Sequence, residues 1–348
     1  MRFSCCILLL LSFSSIGAAK SLVLLNWPNY ISDKVLQDFE TQTGIKVTVI
    51  HYESDETKDS LLNATNGKGY DLLVSSQFRL AGYASRDWLE PLEQSKISNF
   101  IHVDDKWKTE AVNSQYCSPY FWGTIGILYR KDLTTPPTSW KSFFSEDKPE
   151  LINKIQLLSD SRDVLSMALL AQNSPPNTKP EVSINNAANL IYDRLKYING
   201  FSSLNLEPNS NILTGEIYMA MSYNGDALYL QQYSDNLDFV IPSEGTTLWL
   251  DCVSILKQSK MKQEAYQFLD YLQRPEVATH LALTYKFATT NKTALSLLPQ
   301  TEINNKTIYP NKELIKRSSL NKPLSAKSER LYHTIYNQLL YAHKGLKQ

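Results

Sequence analysis

The stretch SLVLLNWPNYISD closes an apolar run, Ser21 to Leu25, with Trp27, Pro28 and Tyr30 in a turn-like setting. Three acidic features accompany such aromatics further along. SDSRD carries Asp160 and Asp163, LWLDC carries Trp249 and Asp251, and SYNGDA carries Tyr223 and Asp226. A spacing of three sets Asp160 and Asp163 on one side of the first turn of a helix. Alternation along a strand sends Trp249 and Asp251 to one face. Few obvious basic partners accompany these acids. Aromatic faces attract ammonium groups, by roughly 0.5–2 kcal/mol each when desolvated. Carboxylates accept charge-assisted hydrogen bonds from N–H donors. Together the two residue types suit a cation. A flexible polyamine meets both halves, with methylenes for flat walls and ammonium ends for the acids.

Each feature also has a plainer reading. Asp160 is a good helix N-cap, and an acid at Asp163 suits the positive end of the helix. Asp226 reads most simply as a helix-start residue. Trp249 and Asp251 could lie on a solvated edge strand, because an acid buried there without a partner would be expensive. Trp27 and Tyr30 could merely cap the core.

The elements that must position these residues begin with a strand–helix–strand rhythm. SLVLLNW reads as a strand. Ser32 or Asp33 caps a helix whose Val35, Leu36 and Phe39 share a face and which Gly44 stops. IKVTVIHY is a second strand, DETKDSLLNATNGKG a helix ending in glycine, and YDLLVSS a third strand. Strands separated by helices imply a parallel sheet, whose ligands sit beyond the carboxyl ends of the strands. Trp27 and Tyr30 follow the end of the first strand; Ser75, Ser76 and Phe78 follow the end of the third. Both groups are therefore expected on one rim.

Beyond these, SPYFWGTIGILYRKDL suits a passage between two domains. IQLLSDSRDVLSMALLAQ reads as strand, turn and helix, and PEVSINNAANLIYDRLKYI as an amphipathic helix. EIYMAMSYNGDALYLQQY reads as strand, turn and helix start, and LDFVIPSEGTTLWLDCVSIL as two strands about a glycine turn. A helix pair broken at Pro275 and a helical tail from Ser325 to His343 complete the chain.

Composition limits the function classes. Residues 1–19 combine Arg2, a short apolar core and a small-residue GAA site, which is the pattern of a secretory signal peptide cut after Ala19. The apolar core is short of the roughly 20 residues a membrane anchor needs. The remainder of the 348 residues is too long for one simple core, so two domains are expected. With 35 Lys and Arg against 35 Asp and Glu, nothing favours a nucleic-acid partner. A hydrophobic content of 43% argues against disorder. Cys5 and Cys6 leave with the leader. Cys117 and Cys252 remain, and in an exported protein they either pair or stay as buried thiols. The histidines and cysteines lack the close spacing of a metal site, and no cofactor motif is present.

The segments LNWPNY, TGIKV, YESDET, YDLLVSS, PYFWGTIGI, SDSRDVLSMAL, MSYNGDAL, LWLDCVSI and LQRPEVA occur in an order that resembles the bacterial periplasmic spermidine/putrescine-binding proteins. Those proteins are soluble receptors of polyamine ABC importers. The resemblance covers nearly the whole chain after the leader. It implies a two-lobed α/β periplasmic binding protein of type II-like architecture, each lobe a central sheet flanked by helices, the two joined by crossover strands. It places lobe 1 at residues 20–124 plus 252–288 and lobe 2 at 125–251 plus 289–348.

By position, the resemblance also implies roles. Trp27 and Tyr30 would wall the cleft, Ser76 would hydrogen-bond an amine, and Phe78 would replace a usual tyrosine. Asp160 and Asp163 would hold an amino group. Tyr223 stands where the spermidine receptor has tryptophan. Trp249 and Asp251 would flank the crossing, with Asp251 facing an ammonium, and Phe287 would form a further wall. Pro28 and Asn29 depart from the pattern, which has a hydroxyl residue and commonly an acid there. Lys322 falls where the spermidine receptor has glutamine, and a lysine facing the cleft would repel a polycation. Cys117 and Cys252 would flank the two crossings and approach each other at the hinge. The implied partners are a polyamine and an inner-membrane ABC permease, with a periplasmic location, a monomeric state, no nucleic acid and no catalysis.

Three rivals stand beside that expectation. A receptor of the same architecture for a sugar could use the same aromatics and acids. A ligand-sensing receptor could dock on a signalling protein instead of a permease. A hydrolase using Asp160 and Asp163 as acid and base fits poorly. Paired glycosidase carboxylates straddle the scissile bond about 5–9.5 Å apart, which two residues in one helical turn rarely do.

Overall fold

The computed structural model describes residues 20–111 and 114–347. The expected leader lies outside the described residues. The opening strands are β1 (Lys20–Asn26), β2 (Ile45–His51) and β3 (Leu72–Ser76), with β1 parallel to both of the others. Ser32 caps the intervening helix Asp33–Thr43, its hydroxyl accepting from the Val35 amide. Gly44 ends that helix at φ 71°, a left-handed conformation that costs glycine little. The next helix, Asp55–Thr65, ends one residue earlier than a glycine stop requires, because Asn66 itself takes the left-handed position.

The long apolar stretch forms one 13-residue strand, β4 (Ser118–Arg130). After it come β5 (Ile155–Leu157), β6 (Ile198–Phe201), β7 (Met219–Tyr223), β8 (Leu237–Val240), β9 (Thr247–Ile255), β10 (Ala288–Thr289) and β11 (Ser319–Leu320). The sheet runs β2-β1-β3-β9-β4-β7-β5-β6, with β8 and β10 also on β4 and β11 on β9. The first half of β4 pairs antiparallel with β9. Its second half, from Ile125, pairs with β7 and β8. The register of β4 on β9 shifts between Pro119 and Trp122, where proline has no N–H to give the ladder.

Two lobes result, with β4 and β9 crossing between them. One core gathers Leu22, Phe39, Leu73, Phe121, Val253 and Phe268. The second gathers Ile127, Trp140, Leu165, Met221 and Tyr332. Alternate residues of the second sheet, Leu128 and Ala220, point to its other face and pack with Ile212, Leu230 and Phe239. The expected lobe boundaries differ from this packing at two places. Leu248, Leu250 and Ile308 lie in the first core although they fall within 125–251 and 289–348. For Leu248 and Leu250 the cause is β9, which is hydrogen-bonded between β3 and β4. Trp249 packs against both cores. No helix among the described residues is long and apolar enough to cross a membrane.

Candidate functional site

A cavity of about 420 Å³ opens where the strand ends of both lobes meet. Each of the ten expected site residues lines it: Trp27, Tyr30, Ser76, Phe78, Asp160, Asp163, Tyr223, Trp249, Asp251 and Phe287. The rim rule explains the first four, which follow the carboxyl ends of β1 and β3. The turn after β1 is tight enough that Asn29 takes φ 55°, a conformation asparagine tolerates better than most residues.

Asp251 sits in the middle of the sheet. Its strand lies between β3 and β4, so the solvated-edge reading is overturned, and the side chain is buried. Ser76, opposite it in the ladder, donates its hydroxyl to Asp251 Oδ1 at 2.9 Å. Burial raises the Asp251 carboxyl to about 6, against the pull of Ser76, Lys58 and Tyr30. Around it the rings interlock. Phe287 lies 4.9 Å from Tyr30 and 5.5 Å, edge-on, from Trp249. Tyr223 meets Trp249 edge-on at 6.5 Å. Gly123 on β4 makes room for that indole, since a Cβ there would collide with Trp249 and with Asn224.

At the other end, Asp160 serves both readings left open by the sequence. Its Oδ1 caps helix Ser161–Ala171, accepting from the amides of Arg162 (2.8 Å) and Asp163 (3.0 Å). Its Oδ2 faces Arg79 at 3.9 Å. Asp163 accepts the Tyr223 hydroxyl at 2.7 Å on Oδ2 and the Asn321 amide at 3.4 Å on Oδ1. Burial, reinforced by Asp160 in the same turn, pushes the Asp163 carboxyl up to about 8. Burial raises Asp160 as well, against the pull of Arg79.

Several residues of the site were not assigned to it from sequence. Asp226 occupies the first turn of helix Asn224–Gln231, as its helix-start reading requires. It also lines the cavity, and among the described residues it makes no hydrogen bond or ion pair. Burial raises its carboxyl to about 7. Asn321 lines the cavity with a buried Oδ1 that has no donor, whereas its neighbour Lys322 is exposed and lies outside the lining. Asp55 starts helix Asp55–Thr65 at the cavity rim. The scarcity of basic partners expected from sequence is corrected here. Lys58, fully buried beneath the rings of Trp27 and Tyr52, pairs with Asp55, and Arg79 Nε donates to Asp55 at 3.1 Å. Although burial opposes it, these two cations hold the Asp55 carboxyl down at about 2. Neither cation lines the cavity, where every charged residue is acidic. Lys58 stands one helical turn from Asp55, but Arg79 comes from the turn after β3, so only the folded chain brings both cations to that acid.

This arrangement can enclose a solute with flat apolar segments and several positive or N–H donor groups. Comparison with known proteins supports a receptor fold. Over 323 residues the chain is 31% identical to the spermidine/putrescine-binding periplasmic protein of Escherichia coli (strain K12), covering 92% of this chain and 91% of that one. It is 26% identical to the norspermidine sensor of Vibrio cholerae, covering 92% and 88% respectively. The crystal structure of the spermidine/putrescine ABC transporter substrate-binding protein PotD from Streptococcus pneumoniae superposes with a TM-score of 0.80 at 26% identity, over 93% of this chain and 99% of that one. Residues 34–310 match the family model described as bacterial extracellular solute-binding protein, and the chain belongs to that family.

Proposed function

We propose that this protein is a receptor for a polyamine, spermidine or putrescine, which it delivers to an ABC import permease. The observation that carries the proposal is the lining of the interlobe cavity, aromatic in its walls and exclusively acidic among its charged residues. Asp251, supported by Ser76, would bind one ammonium; Asp160 and Asp163 would hold another. Trp27, Tyr30, Phe78, Tyr223, Trp249 and Phe287 would sandwich the methylenes. The unpaired Asp226 adds a third anionic position. The two lobes, joined through β4 and β9, would close because the closed state binds the ligand better. Export to the periplasm by the leader, and action as a monomer without catalysis, complete the reading.

Calorimetry on the purified protein with spermidine, putrescine and a panel of neutral sugars tests it. Binding heat with an amine and none with the sugars is the expected result. Heat with a sugar and none with either amine would overturn it. The similarity to a norspermidine sensor favours one second reading, in which the loaded receptor docks on a signalling protein. Uptake of labelled amine by cells lacking this protein separates the two. Import predicts lost uptake, and sensing predicts uptake unchanged.

A further inference from the structure

The short turn Gln77–Arg79 follows β3 in the first lobe, and its Phe78 and Arg79 approach the second lobe's helix Ser161–Ala171. Gln77 Nε2 donates to the Asn321 carbonyl at 2.5 Å. The Phe78 ring lies 5.3 Å from the Arg79 guanidinium and 6.0 Å from that of Arg162, a residue of the second lobe's helix. Arg79 reaches furthest. Its Nε binds Asp55 at 3.1 Å, its Nη1 lies 3.8 Å from Asp59, and its Nη2 lies 3.9 Å from Asp160. The side chain is 14% exposed, so water screens these charges little. Asp55 already has Lys58, and Asp59 accepts the Tyr83 hydroxyl at 2.5 Å. Asp160 makes no ion pair but that with Arg79 among the described residues.

We propose that Arg79 is a specificity-determining residue of this receptor: its guanidinium, anchored on Asp55, latches the two lobes through Asp160 and already supplies that carboxylate with the positive charge a longer amine would otherwise bring. The inference rests on the polyamine reading and deepens it. An internal cation at one end of an acidic cleft repels every charge of the ligand. It penalises most the amine whose outermost ammonium must lie beside Asp160. The receptor is thereby biased towards the shorter amine with fewer charges, relative to the same cleft without the arginine.

The test is calorimetry of spermidine and putrescine with wild type, Arg79→Gln, Arg79→Lys and the double variant Arg79→Gln/Asp160→Asn, each checked by thermal melting. Arg79→Gln should raise the ratio of spermidine to putrescine affinity by about tenfold, the scale of one charge-assisted contact. Arg79→Lys, which keeps the charge, should leave that ratio within about threefold of wild type. The gain should vanish when Asp160 is also neutralised. A ratio unmoved in Arg79→Gln, or a gain that persists without the Asp160 charge, overturns the latch. Should Arg79→Gln fail to fold, a wild-type-like ratio in Arg79→Lys still supports it, and a ratio shifted by tenfold in that charge-preserving variant overturns it. If wild type binds neither amine, the polyamine reading itself fails and the latch falls with it; if it binds and only the ratios disobey, the latch alone fails.

Discussion

At the scale of single residues, the cavity is a set of carboxylates that burial holds above their ordinary range. Asp163 stands at about 8, Asp226 at about 7 and Asp251 at about 6, each because burial disfavours the charged form. An ammonium beside them would restore ionisation, so binding must release protons near neutral pH. Ligand amines titrate above these acids and stay largely charged through the same range. Affinity is therefore expected to rise from pH 6 to pH 8, and calorimetry at pH 7 in buffers of different ionisation heat should register proton release. In the unliganded protein the same groups bind more protons folded than unfolded, so their contribution to stability falls as pH rises through that window. Asp55, held at about 2, works the other way and loses its contribution only in acid. Asp251→Asn keeps an acceptor for Ser76 but removes the charge, and should weaken amine binding by about 1.5–3 kcal/mol while a sugar would tolerate it. Most of these residues were legible because aromatics and acids sit at strand ends. Asp226 was not, because a helix-start acid needs no further explanation. Asn321 was missed by one position, since a loop without periodicity fixes no facing.

At the scale of elements, helix Ser161–Ala171 and the cavity share a residue. The cap and the site are two oxygens of Asp160, which explains why the sequence supported both readings at once. Substitution can separate them. Asp160→Ser keeps a capping oxygen and Asp160→Ala does not. The alanine variant should be the less stable of the two by about 1 kcal/mol in chemical denaturation, while both lose the charge. The strand–helix alternation was readable because hydrophobic period and caps agree there. The partners of β9 were not, because antiparallel insertion between β3 and β4 is a long-range choice that local pattern does not encode. That choice buries Asp251 and brings Trp249 against Gly123. Gly123→Ala must push the indole or Asn224 aside, and overpacking of this kind costs about 1–3 kcal/mol. A lowered melting temperature with altered tryptophan fluorescence is the expected signature.

At the scale of the whole molecule, the two crossing strands are joined covalently. Cys117, just before β4, is bonded to Cys252 on β9, with Cα atoms 5.0 Å apart and 135 positions apart in sequence. Those intervening residues include nearly all of the second lobe's sheet, so the bond closes that lobe off as a loop at its base. Both sulfurs are buried beside the ladder pair Pro119 and Cys252, in the first lobe's core. A cross-link closing so long a loop limits the unfolded chain, by about 5 kcal/mol in the chain-entropy model. Its effect on the folded state is different. It joins β4 to β9 within the first lobe, before β4 begins to pair with β7 and β8 at Ile125. Cys252→Ala, in which the remaining thiol is buried, should therefore lower the melting temperature strongly yet change amine affinity little. Thermal melts and calorimetry on that variant, with a thiol count on wild type purified from an oxidising compartment, check the account. Two free thiols in the folded wild type would contradict it, and so would a variant whose affinity falls while its melting temperature holds.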